Sequence, residues 1–194
     1  MLKLVTRPGS ERIIRYAFEL AKKRGPKPGK DKPQVTLIDK ANAGRAQDLW
    51  TRGFESVSKE YPDIDTDHAY IDAACMWMIK NPQDYSVLVA SNMFGDILSD
   101  LCAGLVGGLG FASAANIGDD YAVFEPTHGS APKYTGQNII NPLAAICAGG
   151  MMLDQLGETE AANAIEKAVM WVTGEKLDSL AAGRMGYSTA EVGD

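Results

Sequence analysis

Asp96 and Asp100 stand four residues apart in the run Asn92-Met93-Phe94-Gly95-Asp96-Ile97-Leu98-Ser99-Asp100. On a helix that spacing puts two carboxylates on one face, one turn apart, where like charges repel. A divalent cation relieves the conflict, and an all-oxygen donor set suits Mg²⁺ or Mn²⁺; the plain alternative is a solvated helix face. The run follows an apolar stretch at 85–90 and precedes a glycine-rich one, a position where ligand sites form in α/β folds. Asp72, set between Ile71 and Ala73 at the end of an expected strand, either caps the following helix or is a third metal ligand. Lys40 ends another strand, in Asp39-Lys40-Ala41-Asn42, as an ordinary exposed lysine or as a strand-end catalytic group. The stretch His128-Gly129-Ser130-Ala131-Pro132-Lys133-Tyr134 combines small residues with a hydroxyl, a cation and an aromatic ring, and reads as a surface loop or a cofactor clamp. Residues 104–110 are rich in glycine but lack the G-x-G-x-x-G spacing and follow a helix rather than a strand. They predict a tight turn or a close backbone approach, not a dinucleotide fingerprint.

The elements that must position these groups alternate between strand and helix, which indicates an α/β protein. The pattern predicts a helix over 10–24 with Ser10 as N-cap, a strand over 34–39 with Val35 and Leu37 inward, and a helix over 44–60. A strand follows at 68–71, then an apolar helix at 73–80, a buried strand at 85–90 and the Asp-bearing helix at 93–106. Beyond the glycines come a strand at 122–125, a loop at 126–140, helices at 142–156 and 158–174, and one more helix near 176–182. Ser188-Thr189-Ala190-Glu191 has the form of a helix N-terminus.

The net charge of −6, with scattered Lys and Arg, argues against a nucleic-acid binder. No apolar run is long enough to span a bilayer, and Met1–Arg7 lacks the apolar core of a signal peptide. Cys75, Cys102 and Cys147 are too far apart for a disulfide framework or a zinc site and are expected to be buried, reduced thiols, which points to the cytoplasm.

The phrases Asn-Met-Phe-Gly-Asp-Ile-Leu-Ser-Asp at 92–100 and Phe-Glu-Pro-Thr-His-Gly-Ser-Ala-Pro at 124–132, with 39–42 and Tyr-Ile-Asp-Ala at 70–73, occur in one order and at matching spacing. In these the chain resembles the metal-dependent β-decarboxylating dehydrogenases: the isocitrate, isopropylmalate, homoisocitrate and tartrate/malate enzymes. The resemblance implies an isopropylmalate dehydrogenase-like α/β fold, incomplete because the N-terminal part of the larger domain is missing. Residues 1–103 would be most of the smaller, dimer-forming, metal-site domain, and 104–194 the C-terminal part of the larger, nucleotide-binding one. Asp96 and Asp100 would hold Mg²⁺ or Mn²⁺ at the hydroxyl and carboxylate of a 2-hydroxy acid. Asp72 and Lys40 would enter the site of a partner subunit in a homodimer, Lys40 assisting removal of the hydroxyl proton. Asn42 would lie near the nicotinamide; Glu125, His128, Gly129, Ser130, Ala131, Lys133, Tyr134 and Asn141 would hold the dinucleotide. NAD-using members tend to carry Asp where this chain has Lys133, so the resemblance implies NADP over NAD. It further implies a fragment inactive alone, because the arginines that bind substrate and a catalytic tyrosine have no counterpart here. The alternative is a non-catalytic dimerisation or regulatory subunit that retains the metal and nucleotide pockets.

Overall fold

The computed structural model describes residues 4–194, apart from the side chain of Ala46. The sequence reading of Met1–Arg7 falls in part on residues 1–3, which lie outside that range. The chain divides into two units, Met1–Leu101 and Cys102–Asp194.

In the first unit, helix α1 (Arg7–Arg24) begins one turn earlier than the sequence predicts. Pro8 sits in the opening turn, where a missing N–H leaves no helical bond unmade, and Thr6 takes the cap position. Ser10 is therefore not the cap: it is buried, and its hydroxyl donates to the Thr6 carbonyl at 2.8 Å. Strand β1 (Gln34–Asp39) has the predicted bounds, but Val35 to Asp39 are all buried rather than alternating. The reason is its place. The sheet runs β2-β1-β3 with both pairings parallel, so the middle strand is covered on both faces. Strand β2 (Asp65–Tyr70) and helix α3 (Ile71–Lys80) each start ahead of the expected positions. Helix α2 (Asp48–Ser58) is preceded by a short 3₁₀ turn, Arg45–Gln47, that shortens the helix expected over 44–60. Strand β3 (Val87–Ala90) leads into α4 (Asn92–Leu105), which continues into the second unit. Helices α1 and α2 pack on β1 and β3 around Phe18, whose ring lies 5.5 Å from Phe54 and stacks on Tyr61 at 4.8 Å. Burying a side chain of this size contributes roughly 1.5–3 kcal/mol.

In the second unit, β4 (Ser113–Ile117) pairs antiparallel with β5 (Ala122–Pro126), and both pack on α5 (Leu143–Gln155), which lies against α6 (Thr159–Glu175). Strand β4 has no counterpart in the sequence reading, since the glycines on either side of it mask its short alternation. The helix expected near 176–182 does not form. That segment is irregular, turning through Gly183 and Gly186 at positive φ, with the Gly183 N–H on the Ile139 carbonyl and the Asp178 N–H on that of Met185. Helix α7 (Thr189–Gly193) closes the chain with a capping box between Ser188 and Glu191. The three cysteines are free but half-buried rather than buried, and burial pushes the Cys147 thiol up, with Glu166 adding to the shift. Among the described residues, no helix is long and apolar enough to cross a membrane.

Candidate functional site

The candidate residues of the first unit follow the C-terminal ends of the parallel strands, Lys40 and Asp72 directly and Asp96 and Asp100 farther along α4. Lys40 follows β1, Asp72 stands in the first turn of the helix after β2, and Asp96 and Asp100 are carried by the helix after β3. Ligands of open parallel sheets bind at that edge.

Lys40 and Asp72 meet. The Lys40 Nζ lies 2.6 Å from Asp72 Oδ1 and 5.8 Å from the centre of the Tyr70 ring. Asp72 is not an N-cap: Tyr70 occupies that position, and the carboxylate sits one residue into α3. The hydrogen bond from Lys40, with backbone N–H groups of the helix start, holds the Asp72 carboxyl below the usual aspartate range.

Asp96 and Asp100 are exposed on one face of α4. Neither side chain has a hydrogen bond or ion pair among the described residues. Two unneutralised carboxylates with free oxygens are a donor set that fits a hard cation such as Mg²⁺ or Mn²⁺. Among the described residues, no cluster of three or more His, Cys, Asp or Glu side chains forms within the chain, so any third ligand of this kind has to come from elsewhere.

In the second unit, Glu125 on β5 accepts a hydrogen bond from Asn116 Nδ2 at 3.0 Å. The loop after β5 carries His128, half-buried with Nδ1 2.9 Å from the Gly129 carbonyl, then Gly129 and Ser130 in the open. Ala131 is left-handed at φ 43°, a conformation costing a residue with a Cβ about 1–2 kcal/mol and one that recurs at ligand sites. The Lys133 Nζ stands 4.6 Å from the centre of the Tyr134 ring. An exposed ammonium beside a phenol suits a phosphate. Asn141 is buried, with one bond at each end of its amide: Oδ1 accepts from the Leu143 N–H at 2.9 Å and Nδ2 donates to the Leu180 carbonyl at 3.0 Å. Its side chain therefore pins the end of the loop. The glycine run behaves as expected, with Gly107 pressed on Leu180 and a Cβ at Gly110 meeting that of Asn141 at 3.2 Å.

Asp39, Thr51, His68 and Tyr70, to which the sequence reading gave no role in the site, link to Lys40 directly or through one another. Asp39 is completely buried; its Oδ1 accepts from the Ala41 N–H at 3.0 Å and lies 2.9 Å from His68 Nε2, while Oδ2 accepts from the Thr51 hydroxyl at 2.9 Å. The His68 ring meets that of Tyr70 edge-on at 5.1 Å. The one available signal was an acid closing an apolar strand directly ahead of Lys40.

Comparison with known proteins gives a consistent picture. A sequence profile described as isocitrate/isopropylmalate dehydrogenase matches residues 1–194. An NADP isocitrate dehydrogenase of Thermus thermophilus is 47% identical over 175 residues, covering 90% of this chain and 34% of that one. A 3-isopropylmalate dehydrogenase of Archaeoglobus fulgidus is 47% identical over 169 residues, covering 87% of this chain and 50% of that one. The crystal structure of isocitrate dehydrogenase from Methylococcus capsulatus superposes with a TM-score of 0.87 at 45% identity, covering 98% of this chain and 56% of that chain. The chain thus spans about a third to a half of the relatives it matches.

Proposed function

The chain belongs to the isocitrate/isopropylmalate dehydrogenase family, and on that premise we propose that it supplies the metal-site and nucleotide-binding portion of an oxidative decarboxylase of a 2-hydroxy acid. Asp96 and Asp100 hold Mg²⁺ or Mn²⁺, and Asp72 of a second copy completes the set. A cation held there would supply Lewis-acid chemistry at the substrate's hydroxyl, and bound NADP would supply the hydride acceptor. Lys40 of that second copy, as the neutral amine, would assist removal of the hydroxyl proton, with Asp72 orienting its Nζ. The 128–134 loop and Glu125 receive the dinucleotide; Lys133 and Tyr134 meet the 2′-phosphate of its adenosine ribose, and Asn141 keeps the loop end in place. Asn42, exposed in the turn after Lys40, is assigned to the nicotinamide end.

The observation that carries this reading is the pair Asp96 and Asp100, two exposed carboxylates on one face of α4 with no hydrogen bond or ion pair among the described residues. The test is Mn²⁺ binding by the purified chain. Asp96→Asn and Asp100→Asn are each expected to weaken it by about tenfold or more; unchanged affinity returns the pair to a solvated face.

A second reading, a non-catalytic dimerisation or regulatory subunit, is favoured by the apolar exposure of Met76, Trp77 and Ile79 on α3 and of Met93 and Ile97 on α4. Both readings include a homodimer, and in both the chain alone binds without turning substrate over. Turnover of isocitrate, isopropylmalate, homoisocitrate or malate with Mn²⁺ and NADP by the isolated chain overturns the inactivity both assume and eliminates the second reading altogether.

A further inference from the structure

Asp39 has no exposed surface, yet it carries a carboxylate. Taking an ionised carboxylate out of water costs several kcal/mol unless it is paired and hydrogen-bonded. Here partners from three separate parts of the fold meet it: the Ala41 N–H from the following turn and the Thr51 hydroxyl from α2 donate to it, and His68 Nε2 from the neighbouring strand β2 lies 2.9 Å from its Oδ1. An apolar side chain of similar volume would fill the same space without that penalty, and such replacements of buried ionic groups are often neutral or stabilising. Stability alone is therefore a poor account of this acid.

Direction is a better one. The bond from the Ala41 N–H to Asp39 Oδ1 spans Lys40 and closes an Asx turn, and the Ala43 N–H on the Lys40 carbonyl, at 3.0 Å, closes the next. Between them the two bonds fix the backbone from which Lys40 and Asn42 project. The same carboxylate holds His68, whose ring abuts Tyr70, and the Tyr70 ring lies beside the Lys40 ammonium. Lys40 is thus constrained at its backbone by Asp39 and at its tip by Asp72 and Tyr70.

We propose that Asp39 is a positioning residue: its buried carboxylate locks the 39–43 turn against α2 and β2, so that the Lys40 ammonium is delivered to Asp72 and the Tyr70 ring. The importance of this for catalysis rests on the role given to Lys40 above, but its test needs no turnover. In the 194-residue chain carrying isotope-labelled lysine, the Lys40 ε-methylene is expected to resonate upfield of the other lysines through the ring current of Tyr70. Lys40→Arg assigns the signal, and Tyr70→Leu removes its displacement. Asp39→Ala is expected to return the signal to the position of exposed lysines. Asp39→Asn, which still accepts from the Ala41 N–H, should restore most of the displacement. If Asp39→Ala does not fold, Thr51→Val, which deletes one donor with little change of shape, should move the signal part of the way. A Lys40 signal that stays upfield in folded Asp39→Ala or in Thr51→Val overturns the proposal, as does one that is never displaced in the parent chain. An acid that merely stabilises the fold would lower the melting temperature without moving Lys40. Mn²⁺ titration of the same samples separates the two ideas, since absent binding defeats the metal reading and leaves the Lys40 result standing.

Discussion

Lys133 and Tyr134 sit side by side on the loop after β5, ammonium near ring, with no carboxylate partnered to the lysine among the described residues. An ammonium so placed attracts a 2′-phosphate, whereas an aspartate would accept hydrogen bonds from a free ribose diol and repel that phosphate. Lys133→Asp is therefore expected to weaken binding of NADP by about tenfold or more, roughly 1.4 kcal/mol, while leaving NAD binding equal or better; fluorescence titration of the chain with each dinucleotide measures it, and an unchanged preference defeats the assignment. At this scale much of the candidate site was legible. Asp96 and Asp100 announced themselves by spacing, and Lys133 by its chemistry in a loop of small residues. Asp39 was not legible, because what sets it apart is complete burial among polar partners 2, 12 and 29 positions away in the chain, and no local pattern records that. Asn141 was legible as a polar residue near the loop but not as one whose amide bonds Leu143 and Leu180.

The short helix α7 shows how a local signature becomes structure. The Glu191 carboxylate accepts from the Ser188 N–H at 2.8 Å and from its hydroxyl at 2.7 Å, while the Glu191 N–H returns to Ser188 Oγ at 3.3 Å. The backbone N–H is the larger cause that holds the Glu191 carboxyl below the ordinary glutamate value of 4.5, with the hydroxyl second. A depressed folded value means that the capping contribution is complete above the ordinary value and is lost as pH falls through the folded one. Amide hydrogen exchange across 189–193 is thus expected to be slow at neutral pH and to rise in acid relative to the intrinsic rate. Ser188→Ala should produce the same rise at neutral pH; protection independent of both would show that contacts outside the box hold α7. The neighbouring segment teaches the converse. Residues 176–182 look capable of helix, yet the backbone bonds of Asp178 and Gly183 go to Met185 and Ile139, so tertiary partners outcompete a weak local preference.

The two units, each with its own interior, leave large apolar side chains in the open, among them Trp77, Ile79 and Met93 in the first. If the proposed homodimer covers α3 and α4, Trp77→Glu and Met93→Glu should each shift the dimerisation constant by about tenfold or more, seen by sedimentation as a monomer at concentrations where the parent chain is paired. A monomeric parent, or dimers indifferent to both changes, rules that surface out. The sequence by itself determined the class of fold, the bounds of β1, the cap of α7 and the spacing of the two aspartates, since each depends on neighbours within a turn or two of chain. Only the tertiary structure decided that β1 is the middle strand and so buried on both faces. It also decided that Lys40 meets Asp72 across 32 positions and that Asp39 is enclosed by α2 and β2. Those facts follow from the order in which strands pair, and residue periodicity, which sets which face of a strand is apolar, does not specify which strand lies beside which.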